Sequence, residues 1–556
     1  MARSLPDFGN LINCAILIFN MHYTLLQYLL LLSAAFLLIL LARKLKIAYP
    51  IFLVLAGLVI SIIPGMPAIH IEPDLIFLIF LPPLLYEAAW WTSWNEFWKW
   101  KRPISLLAFG LVFFTSTVVA YSVSSFIPGF TLATGFLLGG IISPPDAIAA
   151  SSVLKTIRVP KRILTILEGE SLVNDASSLT VFRFALAAVA AAGSFSFQEA
   201  SVSFVTMTIM GIVIGLAVAH IVYLIHRFLP TTASIDSAFT LISPYLMYLA
   251  AEEFHFSGVM AVVSGGLFLS YRSHEIFADG QSRLQTINVW STLSIILNGL
   301  VFVLIGLELP AIVAGLEGYS LAEACKYGLL VSVLVIVVRM LWIYPGTFIP
   351  RWLFKSVRKK EAHPGWKGSF IIGWAGMRGV VSLAAALSLP VTLNNGQPLP
   401  ERNLIIFITF VVILVTLVFQ GLTLPLIIRA LNIQEIDTMV PEEQQETEIR
   451  LRLTQVALKQ LEEKHQGQLE HNRLLLGVKV ELENHLKHNH LKLDCMECAE
   501  KDQKELHAYK SVMKDIYQIQ RSELYHLRKG KTYSDEAIRS EEMQVDIAEL
   551  RITNKQ

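Results

Sequence analysis

Five charged side chains stand where charge is costly: Glu87, Asp146, Glu170, Asp175 and Arg378 each interrupt a long apolar run. At the centre of a membrane-spanning helix such a residue costs about 2.5–3.5 kcal/mol, which makes each a candidate functional group. Glu168 and Arg183 flank the set. The first stretch that could do chemistry runs from Gly139 to Asp146, where Pro144 and Pro145 precede the acid. Each proline removes a backbone donor and disfavours helix in the residue before it, so the span breaks there. Unpaired backbone inside a membrane is tolerated only beside protein or a polar cavity, which points to an ion site. The plainer alternative is a proline kink with Asp146 capping the second half-helix.

The second stretch, Glu168 to Ser178, carries Glu170, Ser171, Asn174 and Asp175. Helical spacing sets Ser171 one turn before Asp175 and Glu170 one turn before Asn174. Carboxylate and hydroxyl oxygens on one face suit a hard cation such as sodium, although ligand type does not choose among the alkali ions. A carboxyl group withdrawn from water favours its neutral form, so a proton and a cation compete for the same oxygens. A purely structural acid cluster is the alternative, and two acids, an amide and several hydroxyls in one span argue against it. The third stretch, Gly373 to Ser382, holds Arg378 among glycines that let the span unwind. A buried guanidinium needs an acidic partner. Glu170 is the expected one, leaving Asp175 free; whether the pair only fastens two helices or also regulates stays open. Glu87, which follows Pro82 and Pro83, is expected at the site or in its entry funnel.

The elements that position these groups follow from composition. The chain is 54% hydrophobic with a mean hydropathy of +0.55, above a soluble globular domain. Apolar runs long enough to cross a hydrocarbon core of ~30 Å follow one another from residue 24 to about 430. The expected fold is an all-α polytopic membrane protein with about thirteen spans, at 24–42, 47–63, 74–94, 103–127, 132–153, 163–193, 200–225, 235–252, 256–271, 285–309, 321–349, 368–390 and 403–428. The sixth is long enough to hold a bend. Residues 1–23 form an N-terminal segment in which Leu11 to Phe19 has no small-residue cleavage site after it, so no cleaved leader is expected.

Orientation follows from the loops. One alternate set holds nineteen basic residues, from Arg43 and Lys44 through Lys99, Lys101 and Arg102 to Lys367; the opposite set holds Arg402, with Arg3 ahead of the first span. By the positive-inside rule the N-terminus lies outside and the tail inside, with Trp90 to Trp100 as an aromatic anchor at the inner interface.

Residues 431–556 are of another kind. From 432 onward they hold 24 of the chain's 44 acids and seven of its 14 histidines. Ile449, Leu453, Val456 and their neighbours suggest amphipathic helices, so a cytosolic helical regulatory tail is expected. Cys495 and Cys498, after His488 and His490, have metal-like spacing without a second such pair, and an ordinary reduced thiol pair is the preferred reading.

Phe80 to Glu87, Ser143 to Asp146, Glu168 to Asp175 and Gly376 to Gly379, in that order, closely resemble the cation/proton antiporter 1 family, the branch of NhaP-like sodium/proton antiporters related to animal exchangers. The resemblance covers about residues 24–430. It implies thirteen helices in two inverted repeats, a homodimer, and broken fifth and twelfth spans crossing beside the site. Asp175 would carry proton and ion in turn, and Ser171 and the backbone around Pro145 would help coordinate the cation. Asp146 would lie near the break, Glu170 would pair with Arg378, and Glu87 with Asn174 would control access. The family often has Thr where Pro145 stands, which puts sodium over potassium in question. Its Asn–Asp pair, here Asn174 and Asp175, is associated with electroneutral exchange.

The activity implied is sodium/proton antiport in the cell membrane, with potassium or lithium as other cargoes, and with no cofactor, no nucleic acid and no enzyme chemistry. A channel would need a continuous pore lined by rings of ligands, and acids gathered beside two broken helices favour a carrier. A transporter-like sensor would signal through the tail, and the intact set of acids argues against lost transport.

Overall fold

The computed structural model describes residues 8–63, 78–154, 157, 159–190, 197–277, 280–316, 318–360, 365–393, 397–433, 442–469, 472–497, 500–530 and 535–553. It divides into two compact units, Met1–Ile436 and Asp437–Gln556. Among the described residues the architecture is all-α, and the one extended pairing is an isolated bridge between Thr392 and Pro398.

Seven helical stretches are long and apolar enough to cross a membrane, by length and composition: Lys101–Phe126, Leu132–Leu154, Lys161–Ala190, Val202–Phe228, Gly280–Ala314, Leu321–Leu353 and Arg402–Leu431. Tyr49–Ser61 and Gly258–Tyr271 are shorter apolar helices. The chain is thus a multi-pass membrane protein, and length alone does not fix the number of spans at thirteen. The first helix runs without interruption from Phe8 to Leu45. Lys161–Ala190 is likewise one continuous helix, with no break at the bend that its length allowed.

Prolines set where helices begin. Pro50 stands in the first turn of Tyr49–Ser61, and Pro82 and Pro83 in that of Leu81–Trp91, where a missing amide proton costs no hydrogen bond. Two spans are broken. Leu132–Ile142 stops before Pro144 and Pro145 and resumes as Ala147–Leu154. Gly365–Trp374 stops before the glycine-rich stretch and resumes as Val380–Leu387. The first half of the earlier break lies backbone to backbone on Val112–Phe126: a Cβ on Gly139 would come within 2.7 Å of the Ser116 carbonyl oxygen. Small residues allow such approach between membrane helices.

The second unit consists of Glu442–Leu469, Arg473–Glu497, Glu500–Gly530 and Asp535–Thr553. Lys479 bridges to Glu462 at 2.8 Å between the first two helices, and Arg521 to Asp546 at 2.6 Å between the last two. The Cys495 side chain and Cys498 lie outside the described residues, as does any test of a metal there.

Candidate ion site

The two breaks meet. The amide of Asp146, just beyond the tandem prolines, donates to the carbonyl of Met377 at 2.7 Å. Gly379 permits this closeness, because a Cβ there would overlap the Asp146 carboxylate. Each break leaves helix ends with partial charge: positive where amides are free, negative where carbonyls are. Asp146 answers the first, its Oδ1 accepting from the Ile148 amide at 2.8 Å at the start of the resumed helix. Arg378 answers the second. Its Nε donates to the Ile142 carbonyl at 3.0 Å, Nη1 donates to the Gly376 carbonyl, and its own amide donates to Thr416 Oγ1 at 3.0 Å. The Arg378 guanidinium thus ties the carbonyl end of Leu132–Ile142 to the Gly376 carbonyl inside the second break, while the carbonyls of Ile372 and Gly373, at the end of Gly365–Trp374, accept from Arg339.

Lys161–Ala190 lies along the first break and fastens it at three points. Ser171 Oγ accepts from the Ala147 amide at 3.1 Å, Asn174 Nδ2 donates to the Pro145 carbonyl at 2.9 Å, and Ser178 Oγ donates to the Gly140 carbonyl at 2.7 Å. These are backbone groups that the prolines left without helical partners. Two π-helical turns support the same region: Leu106–Leu111, whose Ala108 carbonyl accepts from Ser177, and Thr416–Gln420, whose Thr416 receives Arg378. Such turns recur at functional sites.

Asp175 is 7% exposed, and no donor meets its carboxylate among the described residues. It opens on a cavity of about 310 Å³. One wall comes from the broken spans and Lys161–Ala190, with Pro145, Asp146, Ser151, Glu168, Ser171, Asp175, Gly379 and Ser382. The other comes from Tyr49, Glu87, Trp91, Ser294 and Asn298. Asp146 and Asp175 line the same cavity. The arrangement therefore offers a carboxylate that is unpartnered among the described residues, in a cavity also lined by hydroxyl groups.

Two expected pairings are not made. Glu170 is gripped by Arg339, Nη1 to Oε1 at 2.5 Å and Nη2 to Oε2 at 2.8 Å, with both side chains buried. Arg378 spends its hydrogen bonds on backbone carbonyls instead. Carbonyl ends of broken helices are acceptors that a count of acidic residues overlooks. Glu87 does not pair with Asn174 either: Asn174 turns its amide to Pro145, while Glu87 lines the cavity. The Pro145 carbonyl, expected to help coordinate the cation, already accepts that bond. Arg183 is engaged with Glu252 at 2.7 Å. Sequence reasoning missed Arg339, although an arginine in the apolar middle of Leu321–Leu353 meets the criterion that selected Arg378.

Crossed, broken helices holding a buried acid beside a cavity define the architecture of ion-coupled membrane transporters. A family model described as sodium/hydrogen exchanger, transmembrane, matches residues 31–430, and the chain belongs to that family. It is 36% identical over 395 residues to a sodium, potassium, lithium and rubidium/H(+) antiporter of Bacillus pumilus, a match covering 68% of this chain and 58% of that relative. It is 32% identical over 394 residues to the Na(+)/H(+) antiporter ApNhaP of Aphanothece halophytica, covering 70% of each. The solved structure of the sodium proton antiporter MjNhaP1 from Methanocaldococcus jannaschii superimposes with a TM-score of 0.57 over 74% of this chain and 98% of that one; at 20% identity this is a likeness of fold.

Proposed function

We propose that this protein exchanges sodium for protons, one for one, by alternating access, with Asp175 binding each in turn. The observation that carries the reading is the Asp175 carboxylate, buried beside two broken helices, facing a cavity and meeting no donor among the described residues. Ser171 and Asp146 contribute oxygens to the bound cation, with the backbone around Pro145 beside them. Glu87, on the opposite wall, draws cations in. Glu170 with Arg339, and Arg378 with a carbonyl of each break, hold the frame in which Asp175 titrates. The potassium, lithium and rubidium in the Bacillus pumilus relative's name support a wider range of cargo beside sodium.

The basic loops support an outside N-terminus and a cytoplasmic tail in the cell membrane. Tyr49, Trp91, Ser152 and Glu168 line the cavity near those loops, which supports an inward-open state. A homodimer follows from the family resemblance, and the helical tail is assigned a regulatory role. Proteoliposome flux tests the reading. Sodium-driven proton movement without uncoupled current supports exchange, uncoupled current indicates a channel, and neither indicates a sensor.

A further inference from the structure

The wall facing Asp175 carries a polar group that neither the helix packing nor the exchange chemistry so far explains. Asn298 lies in an apolar stretch of Gly280–Leu307, is 4% exposed, and lines the cavity. An asparagine inside a membrane helix ordinarily fastens that helix to a neighbour by a hydrogen bond. Asn298 does not: its Nδ2 donates to Ser294 Oγ at 3.1 Å, one turn back on the same helix, and its buried Oδ1 has no partner. Ser382, on the resumed half of the second broken span, lines the same cavity, and its buried Oγ is also without a partner. Two neutral oxygens of cavity-lining residues are thus left unsatisfied, each shut off from the cavity in this state, and a buried acceptor is rarely left so unless something binds it in another state.

We propose that Asn298 Oδ1 and Ser382 Oγ are ligands of the cation that Asp175 draws into the cavity, and that Asn298 sets cation affinity from the facing wall. The inference rests on the reading of Asp175 as the carrier. Its chemistry separates the two cargoes. A proton goes to the most basic oxygen, a carboxylate, and gains little from an amide oxygen. A partly dehydrated alkali cation needs several oxygens at once, and neutral ones serve without adding a second titrating charge. Ser294 orients the amide, holding its nitrogen side. Removing Asn298 Oδ1 therefore weakens the cation and leaves the proton's own site in place.

The test uses the full-length protein in detergent, following thermal unfolding against sodium and, separately, potassium concentration. The same samples are reconstituted for sodium-driven proton flux at fixed pH. Asn298→Ala is expected to raise the sodium concentration for half-maximal stabilisation, and for half-maximal flux, by about tenfold. Asn298→Gln, which keeps an amide oxygen without adding a charge, is expected to recover part of it. Ser382→Ala, a smaller deletion on the other wall, is expected to shift it in the same direction and keeps the test open should Asn298→Ala fail to fold. Wild-type titrations from both single deletions overturn the proposal. If Asp175→Asn abolishes sodium stabilisation while both deletions titrate as wild type, this inference fails and the carrier reading stands. If sodium stabilises neither the wild type nor any variant, both fail.

Discussion

Arg339 holds Glu170 by both carboxylate oxygens, at 2.5 and 2.8 Å, with neither side chain exposed. Breaking such a pair from one side strands a buried charge and typically costs about 3–5 kcal/mol, whereas removing both partners costs much less. Arg339→Ala is therefore expected to lower the melting temperature and yield more than Arg339→Met combined with Glu170→Gln. A double-mutant cycle with no coupling between 170 and 339, or with coupling between 170 and 378 instead, contradicts the assignment.

Arg378 acts through geometry as well as charge, because Nε reaches the carbonyl end of Leu132–Ile142 while Nη1 holds the Gly376 carbonyl in the second break. Lysine keeps the charge but lacks the planar fork. Arg378→Lys is expected to retain membrane insertion and lose most exchange, and Arg378→Ala to lose stability as well. Full exchange by Arg378→Lys would show that a point charge suffices.

Gly379 packs against the first break so closely that any side chain there meets the Asp146 carboxylate. Gly379→Ala forces that acid or the backbone to move, at about 1–3 kcal/mol for an overpacked core position. Exchange is expected to fall while insertion persists, whereas Gly376→Ala, which meets the Arg339 side chain pinned by Glu170, is expected to lower the melting temperature through that pair. Full exchange by Gly379→Ala would show that the Asp146 contact carries no special role.

The broken spans were legible because tandem prolines and clustered glycines have direct backbone consequences, and Asp146 and Asp175 because a charge within an apolar run has few explanations. Partnership was not legible. Arg378 was expected to seek an acid, yet its acceptors are main-chain carbonyls, which leave no trace in residue type. Asn174 shows the same limit: its neighbour Asp175 suggested an ion-site role, and its amide closes the gap left by Pro145. Arg339 was legible by charge alone, and the glycine-rich motif around Arg378 drew the pairing away from it. Asn298 carries no charge, so its unsatisfied oxygen shows only in the packed structure.

Exchange is expected to be electroneutral, since Asn174 supplies no second titrating acid beside Asp175. A proton and a monovalent cation sharing one carboxylate leave the same net charge in both loaded states. Low pH then excludes the cation and high pH leaves no proton to return, so the rate passes through a maximum with pH. An imposed membrane potential should leave the initial rate nearly unchanged. A rate that follows the potential, with current, requires Asp146 or Glu87 to titrate as well.

The most direct measurement is sodium-driven proton flux by Asp175→Asn in proteoliposomes, beside wild type at matched protein density. The amide nearly preserves the shape of the side chain and removes the group that binds both cargoes. Normal insertion and melting are expected, with no exchange above empty liposomes at any pH. Robust sodium-driven proton flux from well-folded Asp175→Asn would contradict the role of Asp175, because proton and cation would then be carried by another group.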